Sequence, residues 1–211
     1  MHPNPIYRRT SDTRAFDLVR ERAFGQITLS GPDGLLASHV PVLLSPDETT
    51  LDMHLVRSNP ILRLLETPQD ALLAVMGPDG YVSPDWYGAQ DQVPTWNYAA
   101  VQLRGTLRVL EQEHMHDMLD RQSAHFEDQL PKTPWTTSKM TPEVLDKMMR
   151  QIVPCRMTIE DVQSTFKLNQ NKPDDVRLRA ADQMEQSGIG MDTAALADLM
   201  RNPPESDAKE S

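Results

Sequence analysis

Two of the three tryptophans of this 211-residue chain lie in one short stretch, "WYGAQDQVPTWNYAA", which runs from Trp86 to Ala100. Aromatic residues make up only 5% of the chain, so this concentration of flat side chains needs a reason. Aromatic rings with a polar edge can form the walls of a slot for a flat organic ligand. Core or interface packing explains Trp96 and Tyr98 equally well, and both explanations stay open. The polar side chains best placed to orient a ligand among these rings are Ser83, Thr95 and Asn97.

A second group of residues has the chemistry to bind an anion. Arg57 and Ser58 end a predicted strand directly before Asn59, a good helix N-cap, and Pro60, which the first helical position tolerates. Unpaired N–H groups at a helix N-terminus favour an anion, and an arginine fork adds charge-assisted hydrogen bonds. The pattern predicts anion binding by Arg57 and Ser58, although a surface arginine beside a helix cap has the same spacing.

The third group is "KLNQNK", from Lys167 to Lys172, which follows the last predicted strand and precedes Pro173. Five of its six residues carry hydrogen-bonding side chains, more than a simple turn requires. We expect ligand contacts from Lys167 and Gln170, with Asn171 beside them. A solvated loop is the alternative interpretation.

Histidine and cysteine offer weaker signals. His39 and His54 lie in predicted strands, where each is either a ligand contact or a hydrogen-bonded structural residue, and we keep His39 as a candidate. His114 and His116 are two residues apart on a predicted helix and point to different sides, so no metal site is expected. Cys155 lacks a matching His/Asp array and indicates buried packing.

The overall composition limits the location and the partners. The chain has 21 Lys and Arg against 31 Asp and Glu, a formal net charge of -10, which opposes attraction to a phosphate backbone. Direct DNA binding is therefore disfavoured. No apolar run approaches a membrane-spanning length, the N-terminus "MHPNPIYRRTSD" lacks an apolar segment typical of export signals, and a single cysteine suits a reducing compartment. We expect a cytoplasmic protein without a membrane partner.

The elements that must position these residues follow from hydrophobic periodicity and turn residues. Helical spacing predicts a first helix over 13–23, and two "GPDG" tetrapeptides each predict a turn between strands. A long strand containing Gly105 follows, then two helices, a last strand and two C-terminal helices separated by Gly188-Ile189-Gly190. Six or seven strands with short turns indicate an α+β chain built on an antiparallel barrel.

Four segments in the same order resemble the FMN-binding negative transcriptional regulator family, the PaiB-like proteins: "SHVPVLL", "MHLVRSNPILRLL", "GPDGYVSPDWYGAQDQVPTWNYAAV" and "FKLNQNKPDD". The resemblance spans roughly residues 1–200. It implies a split β-barrel flavoprotein fold similar to pyridoxamine phosphate oxidases, with flanking helices and a C-terminal helical segment. It also implies a homodimer with FMN near the subunit interface.

This resemblance assigns roles to the three groups. The FMN phosphate would lie near Arg57 and Ser58, and the ring among Ser83, Trp86, Tyr87 and the 167–171 loop. No catalytic residue is identified. The cofactor-binding candidates are Arg57, Ser58, Ser83, Trp86, Tyr87, Thr95, Asn97, Lys167, Gln170, Asn171 and His39. We expect an FMN-binding domain over 1–172, helices packed on it over 173–201, and a disordered acidic tail over 202–211.

Two functions remain open at this stage. The family resemblance implies a homodimeric FMN-binding regulator that lowers gene expression, through DNA or through a regulatory protein. The alternative is an FMN-dependent oxidoreductase acting on a small molecule, because the flavin would carry the chemistry and the protein would bind and orient it. The second C-terminal helix, "MDTAALADLMR", has two aspartates and one arginine. This charge pattern is poor for contacts with DNA phosphates.

Overall fold

The computed structural model describes residues 2–205, and within that range the chain forms five α-helices and eight strands. The helices are α1 (Asp12–Arg22), α2 (His114–Glu127), α3 (Pro142–Met149), α4 (Asp174–Ser187) and α5 (Thr193–Arg201). The strands are β1 (Phe24–Gly31), β2 (Gly34–Pro41), β3 (Leu43–Leu44), β4 (Thr50–Val56), β5 (Gln69–Val82), β6 (Thr95–Val109), β7 (Ile152–Lys167) and β8 (Gly190–Met191). Most of the predicted tail, residues 206–211, lies outside the described range.

The strands form one sheet in the order β2-β1-β5-β6-β7-β4-β3, with β8 beside β5. Strands β1 and β2 form an antiparallel hairpin from Phe24↔Pro41 to Gly31↔Gly34, and β4 pairs antiparallel with β7 from Thr50↔Thr158 to Val56↔Ile152. The predicted α+β class and antiparallel sheet are confirmed. None of the helices within residues 2–205 is long and apolar enough to cross a bilayer.

The described chain divides into two compact units that alternate along the sequence. The first unit contains residues 2–18, 75–102 and 162–205, and the second contains residues 19–74 and 103–161. The predicted boundary at residue 172 stays a prediction.

The core of the second unit follows the predicted alternation. Leu51, Met53 and Leu55 of β4 are each at most 2% exposed, as expected for one face of a buried strand. Cys155 of β7 is fully buried, as predicted, and burial raises the pKa of its thiol to about 12. The thiol therefore stays protonated at neutral pH and serves as packing.

A buried carboxylate joins helix α2 to the strands of the second unit. Asp52 on β4 is 4% exposed and accepts two hydrogen bonds from Arg156, from Nε at 2.6 Å and from Nη2 at 2.9 Å. A third hydrogen bond comes from Arg121 Nη2 of α2 at 2.8 Å, and Arg121 Nε also binds Asp117 at 2.8 Å. Such bidentate pairing is what makes a buried carboxylate tolerable.

The first "GPDG" is the hairpin turn that the sequence predicts, but the prediction of a turn at the second is wrong. Strand β5 runs without interruption through Gly77, Pro78, Asp79 and Gly80. A Cβ atom on Gly77 would lie 3.0 Å from Leu18 Cδ1. This glycine therefore permits close packing rather than reversal of the chain.

The other half of that tetrapeptide packs against the C-terminal helices. Asp79 and Gly80 pair with Met191 and Gly190 of β8, a short strand that the sequence did not predict. A Cβ on Gly80 would lie 2.8 Å from the sulfur of Met184 on α4. Helices α4 and α5 pack through residues that are fully buried: Ala180, Ala181, Met184, Leu196, Ala197 and Met200.

Gly105 lies in the middle of β6, where the sequence predicts a bend or bulge in a long strand. The structure has a continuous strand there. A Cβ on Gly105 would lie 1.8 Å from the carbonyl oxygen of Thr158, so no larger residue fits without moving backbone. The glycine is explained by the close approach of another strand.

Candidate functional site

Tyr87, which is 1% exposed, contacts two residues of the "KLNQNK" loop. Its hydroxyl donates to the side-chain oxygen of Asn169 at 3.4 Å, and the ammonium of Lys172 lies 4.2 Å from the centre of its ring. Burial raises the pKa of Tyr87, so its hydroxyl is neutral at physiological pH. The aromatic stretch and the "KLNQNK" loop are thus brought together.

Local sequence explains how Tyr87 is presented. Residues Pro84–Tyr87 form a single 3-10 turn, whose start is capped by Ser83 because its hydroxyl accepts from the Asp85 backbone N–H at 3.4 Å. The turn ends at Gly88, whose φ of 57° is in the left-handed region that favours glycine. Ser83 therefore has a structural role in this turn, and its ligand contact stays a prediction.

Asn169 is the least satisfied polar residue of this group. Its φ of 61° is left-handed, a conformation that asparagine tolerates better than most residues, and its side chain is 2% exposed. Among the described residues, its amide nitrogen Nδ2 has no hydrogen-bond partner. A buried donor left unpaired costs about 1–3 kcal/mol, and a hydrogen bond to a ligand acceptor would remove that cost.

Two lysines of the "KLNQNK" loop bind residues of the aromatic stretch. Lys167 donates a hydrogen bond to the hydroxyl of Thr95, and burial lowers the pKa of its ammonium group. Lys172 binds Gln92 at 2.5 Å while it covers the Tyr87 ring. Lys167 and Thr95 are ligand residues predicted from the sequence, whereas Lys172 and Asn169 are not. We call Tyr87, Thr95, Lys167, Asn169 and Lys172 the Tyr87 cluster.

The other two candidates in the loop differ from each other. Gln170 uses its amide to shape the loop: Oε1 accepts from the Leu168 N–H at 2.8 Å, and Nε2 donates to the Phe166 carbonyl at 2.6 Å. Asn171 is exposed. Gln170 is therefore a loop-forming residue in this structure, and ligand contact by either residue stays a prediction.

The two tryptophans of the stretch contact the same ring. Trp86 and Trp96 both meet Tyr81 edge to face, with ring centres 6.2 and 6.4 Å apart. Trp96 is 47% exposed, so burial in a hydrophobic core does not explain it. Asn97 is fully buried and donates to the sulfur of Met200 at 3.4 Å, while its Oδ1 has no partner among the described residues.

The remaining candidates, Arg57, Ser58 and His39, belong to the second unit. Arg57 Nε donates to the Arg150 carbonyl at 2.8 Å, and Nη2 donates to Gln112 Oε1 at 2.9 Å and to the Ile152 carbonyl at 3.4 Å. Ser58 is exposed. His39 is also exposed, with its ring stacked on Phe24 at 6.3 Å between centres.

The helix predicted after Arg57 is only one 3-10 turn, Pro60–Arg63. Asn59 caps it as predicted, because its Oδ1 accepts from the Ile61 N–H at 3.0 Å. So short a turn has a small dipole, which weakens the argument that a helix terminus attracts an anion. The charge of the Arg57 guanidinium is the stronger part of that prediction.

Metal binding has no support in the described residues, where no three His, Cys, Asp or Glu side chains form a cluster able to hold an ion. His116 instead pairs with Asp120 at 3.1 Å, one turn along α2.

Comparison with known proteins gives consistent results. The family model described as "Putative FMN-binding domain" matches residues 1–161. The protein named Protease synthase and sporulation protein PAI 2, from Bacillus subtilis, is 27% identical over 208 residues, which cover 96% of this chain and 97% of that protein. The Uncharacterized protein YKL070W of Saccharomyces cerevisiae is 32% identical over 134 residues, 57% of this chain and 79% of that one.

Solved structures agree on the fold. The FAD and heme binding protein from Mycobacterium smegmatis superposes with a TM-score of 0.57 at 18% identity, covering 88% of this chain and 82% of that one. The flavocytochrome Anf3 from Azotobacter vinelandii superposes with a TM-score of 0.58 at 12% identity, covering 79% of this chain and 72% of that one. The split-barrel fold predicted for this chain is confirmed.

Proposed function

The chain belongs to the FMN-binding domain family and its cofactor is FMN; from this premise we propose that it is a homodimeric regulator that lowers gene expression. We further propose that the isoalloxazine ring lies against the Tyr87 cluster, with Ser83, Trp86 and the 167–171 loop around it.

The observation that carries this placement is the unpaired amide nitrogen of Asn169. The isoalloxazine ring has two carbonyl oxygens and several ring nitrogens that accept hydrogen bonds, and a buried N–H group without a partner matches that need. The ammonium of Lys167 adds a second donor in the same cluster. Aromatic faces of Trp86 and Trp96 beside Tyr81 supply flat apolar surface. The residues of the first unit therefore fit a flavin ring.

The phosphate is assigned to Arg57 with Ser58. Two of the guanidinium nitrogens of Arg57 already bind protein acceptors, and Nη1 has no partner within the described part of the chain. The guanidinium carries a positive charge, so it can neutralise a phosphate through Nη1. Arg57 thereby has two roles, to bind the phosphate and to hold the Arg150 carbonyl at the end of α3.

Regulation and redox chemistry remain the two candidate functions, and bound FMN would supply hydride or electron transfer in either case. The Tyr87 cluster contains no carboxylate, its tyrosine is held neutral, and Lys167 already donates to Thr95. These groups bind and orient a ring rather than form an acid and base pair. The relative named Protease synthase and sporulation protein PAI 2 matches this chain across 97% of its own length, and the sporulation in its name favours regulation.

The direct test compares the two functions on one preparation. Flavin absorbance of the purified protein would show that FMN is bound. We then expect no NAD(P)H oxidation above free FMN, and no shift of promoter DNA at physiological salt, because the chain carries a net charge of -10 and acts through a regulatory protein. Steady NAD(P)H turnover would favour the oxidoreductase, and salt-resistant promoter binding would show direct DNA recognition.

The proposed dimer and location can be tested separately. A two-fold partner would cover apolar surface and the cofactor groove of a split barrel. Light scattering after size exclusion should give twice the 23.9 kDa of one chain, and a single-chain mass at micromolar concentration would contradict the dimer. We also propose a cytoplasmic location, since the one cysteine of the sequence is a free, buried thiol.

A further inference from the structure

The second unit contains an apolar cavity of about 360 Å³, and none of its lining residues is among those proposed above to bind FMN. Helix α2, helix α3 and the segment 128–141 between them form its walls, with His54 and Val56 of β4 on another side. This volume lies in the lower part of the usual range for small-molecule pockets, about 300–1,000 Å³. The cavity is therefore large enough for one small organic molecule.

The lining of the cavity indicates an uncharged ligand with an aromatic ring. None of its twelve lining residues is Asp, Glu, Lys or Arg, so a charged ligand would be desolvated without a partner. Three methionines, Met140, Met148 and Met149, lie around it together with Trp135. Thioether sulfurs make favourable contacts with aromatic rings, and flexible methionine side chains adapt to ligands of different shape.

His54 supplies a directional polar group. The amide nitrogen of Gln122 donates to the Asp52 carbonyl at 3.3 Å, which leaves Gln122 Oε1 to face His54 Nδ1 at 3.0 Å. Because Oε1 can only accept, Nδ1 must carry the proton and Nε2 must be an acceptor. Burial lowers the pKa of His54, which keeps this neutral form at pH 7. A ligand that binds His54 therefore needs a hydrogen-bond donor.

Helix α3 is a wall that can adapt to an occupant. None of its residues is buried, and Val144 and Met148 are 48% and 54% exposed. It is held at its C-terminal end, where Gln112 Nε2 donates to the Met149 carbonyl at 3.0 Å. An amphipathic helix with so little burial gains stability when an apolar molecule fills the cavity beneath it.

We propose that this cavity binds a small, neutral aromatic alcohol of the phenol class. The ring lies among Met140, Met148, Met149 and Trp135, and the hydroxyl donates to Nε2 of His54. None of these five residues is among those proposed to bind FMN.

The test uses the full chain saturated with FMN and labelled with ¹³C at its methionine methyl groups, with 4-ethylphenol as the probe. Titration should move the methyl signals of Met140, Met148 and Met149 and leave most of the other signals from the 12 methionines unchanged. The methyl ether 4-ethylanisole, which has no donor, should bind about 3- to 10-fold more weakly, the effect of one neutral hydrogen bond.

Variants separate the cavity from other surfaces. Ser123→Phe should block binding by filling the cavity, and Ala124→Phe, at an exposed neighbouring position on α2, should not. His54→Phe should bind phenol and ether equally.

Four results would overturn the proposal. The first is that millimolar 4-ethylphenol does not shift the methionine methyl signals. The second is that the wild-type chain binds 4-ethylphenol and 4-ethylanisole with equal affinity. The third is that these methionine signals depend on protein concentration without any probe, which would identify a second copy of the chain as the occupant. Displacement of the probe by free riboflavin would also contradict it, because the cavity would then belong to a flavin site.

Discussion

The hydroxyl oxygen of Tyr87 lies 3.4 Å from the side-chain oxygen of Asn169, and this contact links two segments that are 82 residues apart. It leaves the amide nitrogen of Asn169 buried and without a partner in the described residues. The side chain that carries this hydrogen-bond donor is thus held by a hydrogen bond from a buried tyrosine. Preorganised donors of this kind bind a ligand without a further cost of ordering.

Asn169→Asp tests that donor with little change of shape. Aspartate keeps the Oδ1 acceptor for Tyr87 and tolerates a positive φ, but it replaces the N–H donor by a second acceptor oxygen. We expect about 10- to 100-fold weaker binding of both FMN and riboflavin. Flavin fluorescence quenching measures both affinities. Asn171→Asp makes the same charge change at an exposed neighbour, and an equal loss there would refute the role of Asn169.

Arg57→Ala tests the phosphate assignment. Loss of a charge-assisted contact should weaken FMN about 10- to 100-fold, while riboflavin, which lacks the phosphate, should bind as before. Arg63→Ala, an exposed arginine in the next turn, is the control for lost positive charge. Trp86→Ala should weaken both flavins alike, because they share the ring. If Arg57→Ala weakened riboflavin as much as FMN, the phosphate would be elsewhere.

Arg57 also holds backbone carbonyls at the end of α3, so the same variant should lower the free energy of unfolding by about 1–2 kcal/mol. Urea denaturation without flavin measures this loss, and its absence would show that these hydrogen bonds contribute little.

Gly105→Ala should be severely destabilising. The added Cβ would lie 1.8 Å from the Thr158 carbonyl oxygen, which no side-chain movement can relieve. We expect a loss of about 3 kcal/mol or more in the free energy of unfolding, the upper end of overpacking effects. Gly31→Ala is the matched control, since its Cβ would come no closer than 3.3 Å to any atom. Comparable losses in the two variants would contradict this explanation of Gly105.

Asp52→Asn tests the buried ion pair and its pH dependence. Burial alone would raise the pKa of Asp52, but hydrogen bonds and charge from Arg156 and Arg121 outweigh it and lower the pKa. A lowered pKa means that the carboxylate stabilises the fold above the unfolded pKa of about 3.9, and that this contribution is lost as pH falls through the folded value.

The wild-type chain should therefore be about 2 kcal/mol more stable than Asp52→Asn near neutral pH, with the difference shrinking below about pH 4. Urea denaturation at several pH values measures it. Asp117→Asn, which removes an exposed partner of Arg121, should cost less than about 1 kcal/mol. A difference between Asp52→Asn and wild type that did not change with pH would mean that the carboxylate charge is unimportant.

Features that depend on neighbouring residues in the chain were predictable from the sequence. The first helix, the hairpin around the first "GPDG" and the alternating strand Thr50–Val56 all follow from local periodicity and turn chemistry. Asn59 was correctly predicted as a cap for the same reason. Four ordered motifs were also enough to identify the family, and with it FMN.

The tertiary structure alone decided what each side chain contacts. The second "GPDG" has the same sequence as the first, yet it lies within a continuous strand. Gly77 and Gly80 permit this strand to pack closely against Leu18 and Met184. Asn169 is buried against Tyr87, which is distant in sequence, and no local pattern indicates that contact. Burial and hydrogen-bond partners depend on which segments meet in space, and local periodicity carries no information about that.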